Sequence, residues 1–494
     1  MSEGMTSDSL GAKVPVVSGE HERLRQGVLG LLDISAATMA NIGPAMSFYF
    51  GFGFLAITTG LASPLVIVAA GVAIAFLGNT LSEFTKVMPS TGGFITFVGK
   101  TFGARTGVTT ALLTGAGYIA AMASVVAIVG GFFQYLLQNY NVSGLKSVPW
   151  FIWTIVFLCF AIFMMIRGIK ISTKVAGIFF AFEMLILLIV SIAALIKFHG
   201  SLGFGPFNPK NIHNGFKGLA LAFPLAIYLF IGWENSAALA EETDNPRRNV
   251  GRAVFSSVAI MAVSYILFAY ATVTGFGYNV DKLAAAQIPF IDVAQGTLGL
   301  FAFFAYLAGL TSTLGCLIAG TNSQARLVFN AGREGLLPSF MGRVHPERRT
   351  PTNAIFTFIS ISLLIIGGWG AGHIVGGHAD SMDPVTFFVE ASTMGTILVL
   401  LVYLASNIAL PFYYKKFRPA EFSSIKHVLL PGLGAAAIVI PLFYLAKPGQ
   451  PAPYSWFPYA AVLILAASIL YAVYLTRRDP SLGERVGSIV ADAE

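Results

Sequence analysis

Glu234 stands two residues beyond a glycine, at the end of a long apolar run, and it is the first pointer to chemistry in this sequence. The stretch from Tyr228 to Arg248 starts in apolar sequence, passes Gly232, Trp233 and Glu234, and ends in charges at Glu241, Glu242, Asp244, Arg247 and Arg248. Glycine is the weakest helix former short of proline. A carboxylate at membrane depth is costly and usually lines a polar cavity or pathway. With Gly232 before it and Asn235 and Ser236 after it, Glu234 reads as part of a binding site. The alternative is a buried acid bonded to a neighbouring helix.

A second interruption lies near the start of the chain, in Met39, Ala40, Asn41, Ile42, Gly43, Pro44, Ala45 and Met46. Pro44 has no N–H to bond the carbonyl of Ala40, and its ring clashes there. A broken backbone within a bilayer is tolerated only beside protein or a water-filled cavity. Either interruption alone reads as well as an ordinary kink. Together, each heading one half of the chain, they point to an inverted-repeat transporter with its site at the midplane. The half-helix ends then offer amides to an anion and carbonyls to a cation.

The elements that must carry these residues follow from composition. Of 494 residues, 56% are hydrophobic and 11% charged, against about 25% charged in soluble domains. Apolar blocks exceeding the roughly 20 residues of a crossing recur along the chain. They predict twelve spans, at 28–59, 62–87, 105–138, 149–167, 173–197, 215–240, 251–277, 296–331, 351–369, 384–410, 428–446 and 455–476. The first, third and eighth are long enough to need a break, a tilt or an extension into a loop. With the N-terminus inside, only Lys146, Lys197, Lys210, Lys217, Lys282 and Lys447 of the 30 lysines and arginines fall outside. The positive-inside rule therefore puts both termini in the cytoplasm. The first 25 residues carry no apolar signal core, so the first span is expected to direct insertion.

Other classes of function find little support. The net charge of +7 is spread over short loops rather than clustered for nucleic acid. Cys159 and Cys316 both fall in predicted spans, implying no disulfide framework. The seven histidines sit in loops or termini without metal-ligand spacing, and no His/Asp/Cys constellation suggests catalysis. Gly93 to Thr101 imitates a phosphate loop with one residue too many between its glycines. It reads as the loop and re-entry between spans two and three. Gly51 and Gly53 imitate a dinucleotide fingerprint inside an apolar span with no preceding strand. Asn141-Val142-Ser143 is a glycosylation triplet of a kind that arises by chance. Without a nucleotide or cofactor site, the energy for transport would come from a gradient or from exchange.

Several stretches resemble the amino acid–polyamine–organocation (APC) permeases. Glu83, Pro89, Gly92, Gly93 and Phe94 match the loop after the family's second span. Gly232 through Asn245, Pro246, Arg247 and Arg248 match its sixth-span signature. Gly168, Lys170 and Ser172 precede the fifth span. Gln324, Arg326, Gly332, Arg333, Glu334, Gly335 and Pro338, followed by Thr350 and Pro351, match the exit of span eight. The likeness is collinear through span ten.

That resemblance implies an all-α integral membrane protein with a LeuT-like five-plus-five inverted repeat, discontinuous first and sixth helices and two further C-terminal helices. The segments would be a cytoplasmic tail (1–26), spans one to five (27–200), spans six to ten (201–414), a loop with spans eleven and twelve (415–476), and a second cytoplasmic tail (477–494). A substrate ammonium would meet carbonyls at Asn41, Tyr228 and Ile231, and a carboxylate would meet amides near Gly43 to Met46. The expected site is thus Asn41, Ile42, Gly43, Pro44, Ala45, Met46, Tyr228, Ile231, Gly232 and Glu234. Tyr228 takes the position of an aromatic gate and Glu234 that of the span-six acid. Two departures matter. Gly43-Pro44-Ala45 stands where relatives carry Gly-Ser-Gly or Gly-Thr-Gly, which weakens or shifts carboxylate capture. Glu183 stands where proton-coupled relatives often have a lysine.

The function implied is secondary transport of amino acids or related small amines across the cell membrane by alternating access, with no cofactor or metal. Glu183 and Glu234, titratable at membrane depth, favour protons over sodium as the coupling ion. Glu183 also reads as a counter-charge for an amine substrate, or as a silent buried acid. Exchange of substrate for product or polyamine, and a transport-inactive membrane sensor or structural protein, are the competing readings.

Overall fold

The computed structural model describes residues 24, 26–213, 215–376, 382–450 and 452–482. Most of the two expected cytoplasmic tails, with Lys13, Arg23, Arg25 and Arg485, lies outside the described residues. Among those described, regular structure is helical apart from one isolated bridge between Leu29 and Thr243.

The first apolar block forms α1 (Leu31–Ile42) and α2 (Pro44–Thr59), with Gly43 alone between them. Gly43 has a φ of 61° and caps α1, its N–H donating to the carbonyls of Met39 and Ala40. That left-handed geometry is open to glycine and strained for other residues. Pro44 restarts the helix at its first position, where the missing N–H costs nothing. Then come α3 (Ser63–Val87) and α4 (Phe94–Phe102). The expected loop at Gly93 to Thr101 is therefore a nine-residue helix, mostly buried against its neighbours. Three further helices follow: α5 (Ala104–Asn139), α6 (Trp150–Ile166) and α7 (Ile169–Lys197). The long third block is one unbroken helix.

The sixth block opens more widely. Helix α8 (Gly215–Tyr228) ends at Tyr228, and the four-residue α9 (Asn235–Ala238) begins after Glu234. Between them Gly232 adopts a φ of 104°. Next are α10 (Pro246–Gly275), α11 (Val280–Ala285), α12 (Pro289–Leu298) and α13 (Phe303–Arg333). The eighth block thus contains a break, α12 ending at Leu298 and α13 starting at Phe303. The last four are α14 (Thr352–Val375), α15 (Pro384–Phe417), α16 (Leu430–Ala446) and α17 (Phe457–Arg478).

Among the described residues nine helical segments are long and apolar enough to cross a bilayer, the first of them spanning Leu31–Val87. Two shorter apolar helices, Trp150–Ile166 and Gly215–Tyr228, accompany them. Helices α6, α14, α16 and α17 leave large apolar side chains such as Leu364, Phe443 and Leu470 exposed. In water such a surface would drive aggregation. Facing acyl chains it is the expected exterior, and the protein is a multi-pass membrane protein.

The interior helices bring the signature stretches together. Helix α1 packs on α7, α10 and α13. At one end of the bundle Arg326 of α13 is wholly buried and grips Glu242 through two guanidinium nitrogens, while Arg333 pairs with Glu241. The Leu29 amide donates to the Glu242 carbonyl at 2.9 Å, tying the entry of α1 to the exit of the sixth block. Two histidines depart from expectation, since His373 lies inside α14 and His427 is buried. The His427 ring stacks on Tyr414 and its Nε2 sits 3.3 Å from Glu83.

Candidate functional site

The two interruptions lie side by side. Asn41 Nδ2 donates to the Gly232 carbonyl at 3.3 Å. A Cβ on Gly232 would come within 2.8 Å of that nitrogen and 3.1 Å of the Asn41 carbonyl carbon. The approach therefore requires glycine on two counts, contact and φ. Between the breaks is a cavity of about 40 Å³. It is lined by six of the expected residues, Asn41, Ile42, Met46, Tyr228, Ile231 and Gly232, and by none of the protein's cationic side chains. A water needs about 10–15 Å³ of such space, so in this conformation the cavity has room for only a few waters.

Tyr228 forms a wall of that cavity and also of an outer one of about 240 Å³. Its ring meets Phe388 edge-on at 5.9 Å. On the other side Tyr118 and Gln324 separate the central cavity from a third, of about 20 Å³, lined by Glu234 and Asn235. Tyr118 donates its hydroxyl proton to Glu234 Oε1, while Glu234 Oε2 is buried without a partner. Glu234 thus sits next to the central site, one side chain removed from its wall.

The first break differs from the expectation that its amides await a carboxylate. Gly43 N–H is used in capping α1, Pro44 has none, and Met46 N–H donates to Ser312 Oγ at 3.0 Å. Ala45 N–H donates at 3.0 Å to Oε2 of Glu183, which is fully buried in α7. Glu183 Oε1 has no partner. Gly43, Pro44 and Ala45 do not line the central cavity. The carbonyls are partly engaged as well, because Cys316 Sγ donates to Asn41 O at 3.0 Å and Ile231 N–H to Tyr228 O. A carbonyl has two lone pairs, so each keeps one acceptor position.

Sequence reasoning missed Tyr118, Ser312, Cys316 and Gln324. The polar run at mid-span in α13 was the available signal for Ser312 and Gln324. Nothing local marks Tyr118, which α5 delivers from elsewhere. No cluster of three or more metal-ligating side chains occurs among the described residues.

Two interrupted helices side by side around a small cavity, inside a bundle of apolar spans, make a helical membrane protein with a candidate solute site at its breaks. Consistent with this, an amino acid permease family model matches residues 29–468, and the chain belongs to that family. The branched-chain amino acid permease BcaP of Bacillus subtilis is 26% identical, covering 95% of this chain and 97% of the relative. The Asc-type amino acid transporter 1 of Mus musculus is 25% identical over 84% of this chain and 80% of its own. A methylthioribose transporter of B. subtilis is 24% identical over 86% and 89%. Among solved structures, a manganese transporter of Eremococcus coleocola superposes with a TM-score of 0.58 at 13% identity, covering 92% of this chain and 95% of its own. That likeness concerns the fold alone.

Proposed function

We propose that this chain is a secondary transporter that moves amino acids or related small amines across the cell membrane by alternating access. The observation that carries the reading is the Asn41–Gly232 contact, where the two broken helices meet at a cavity with room for only a few waters. Such a site takes up substrate only by opening toward one side, and binding shifts the balance between the two openings. Relatives named for branched-chain and other amino acids support the substrate class, and one named for methylthioribose indicates that related sites accept more than one chemistry.

Twelve crossings are reached by taking Leu31–Val87 as two and adding the two shorter apolar helices to the nine segments. The five-plus-five inverted repeat and cytoplasmic termini belong to the same proposal, supported by the paired breaks and by the charge asymmetry. The coupling ion is the proton, with Glu183 and Glu234 as its carriers. Tyr228 is the outer aromatic gate. Uptake of a labelled amino acid and amine panel into proteoliposomes, with and without an inward proton gradient, tests the reading. Gradient-stimulated uptake is expected. Flux only against a preloaded internal solute would instead identify an exchanger, and binding without flux a sensor.

A further inference from the structure

We propose that Glu183 is a built-in occupant of the carboxylate position in the first break, which the substrate's own carboxylate must displace. The inference rests on the amino acid transport reading and adds the device that joins substrate to ion. Of the amides at the start of α2, Ala45 N–H alone is held by an acid, and the acid comes from another helix. Met46 N–H is held by Ser312 and Ser47 N–H by the Gly43 carbonyl, while Pro44 contributes no N–H. A substrate carboxylate seeking an amide at this helix start therefore competes with Glu183.

Displacement has an electrostatic consequence. The titratable groups facing Glu183 are Tyr49 from α2, Tyr265 from α10 and Cys316 from α13, and none of these is a cation. Its Oε1 already lacks a partner. Once Oε2 loses the Ala45 amide, a charged Glu183 carboxylate would keep only the neighbouring Ser312 hydroxyl while a second carboxylate lies beside it, an arrangement that is costly in a dry interior. A proton entering from the water on the side of substrate entry binds the Glu183 carboxylate and gives a neutral carboxylic acid. When the substrate leaves on the other side, the acid releases that proton there and the carboxylate returns to Ala45. One proton moves with each substrate carboxylate. An amine without a carboxylate leaves Glu183 in place and moves no proton by this route.

The test uses the full chain in nanodiscs, weakly buffered with a pH dye, and three matched pairs: glycine and methylamine, serine and ethanolamine, valine and isobutylamine. The amino acids that bind are expected to take up about one proton per site, and the amines none. Glu183→Gln keeps an acceptor for Ala45 N–H, so it should bind the same amino acids with no proton uptake and with an affinity independent of pH. In proteoliposomes that variant should lose stimulation by a proton gradient while retaining exchange. As a second variant, Pro44→Ala supplies a fresh N–H and should tighten amino acid binding while leaving amine binding unchanged. Tighter binding of the amines, lost in Glu183→Gln, would overturn the inference and make Glu183 a counter-charge. Undiminished proton uptake in Glu183→Gln, or no binding by any of the three amino acids, would overturn it too. The broader transport reading fails only if the whole amino acid and amine panel fails to cross.

Discussion

The two breaks face each other across one cavity, yet they are built in opposite ways. The first is a hinge of one residue. Gly43 turns, Pro44 restarts the helix, and the amides that follow are satisfied by Glu183, Ser312 and the local backbone. The second unwinds from Leu229 to Glu234 and leaves Glu234 Oε2, both polar atoms of the Asn235 side chain and Ser236 Oγ buried without partners. Unsatisfied buried polar groups are expensive, so the second break is the one poised to change its surroundings. The contrast teaches that a mid-membrane break is defined less by where the helix stops than by what answers its exposed groups.

The largest expected effect comes from cutting the anchor below the second break. Arg326→Leu leaves Glu242 buried and unpaired, which costs about 3–5 kcal/mol. Thermal unfolding in detergent should show the loss, and the double variant with Glu242→Leu should recover most of it. Equal melting of the single and double variants would mean that the pair does not hold the unwound segment's exit.

Gly232→Val comes next. Strain at a φ of 104°, with the Asn41 contact, is of the order of 3 kcal/mol, about a 100-fold loss of the closed state. Uptake should vanish while the protein still reaches the membrane. Wild-type uptake in this variant would show that the breaks need not touch.

Tyr228→Ala should weaken binding roughly tenfold for phenylalanine-sized solutes and little for glycine, because a lid packs only against a side chain. A uniform loss across sizes would remove the gate from the second break. The smallest effect is expected in the first. Cys316→Ala deletes a weak S–H donor to Asn41, worth about 0.5–1 kcal/mol, and should shift affinity about two- to fivefold. A tenfold shift would make the first break as responsive as the second and erase the contrast.

What this sequence determined by itself was whatever depends on local chemistry. Apolar blocks and the need to pair every backbone group in lipid require helices, and the helices fall where the blocks do. The interruptions at Gly43-Pro44 and around Gly232 were legible because missing donors and permissive φ angles are properties of the residues themselves. The eighth block holds one of the interruptions its length called for, between Leu298 and Phe303, whereas the loop expected after span two is a helix because α4 is amphipathic over only nine residues. Tertiary structure alone decided what answers each break. Ala45 is met by an acid 138 residues away and Met46 by a serine 266 away, and Glu234 is met by Tyr118 from α5. No spacing in the chain encodes those partners, since they are chosen by which helix faces pack together and how far each side chain reaches.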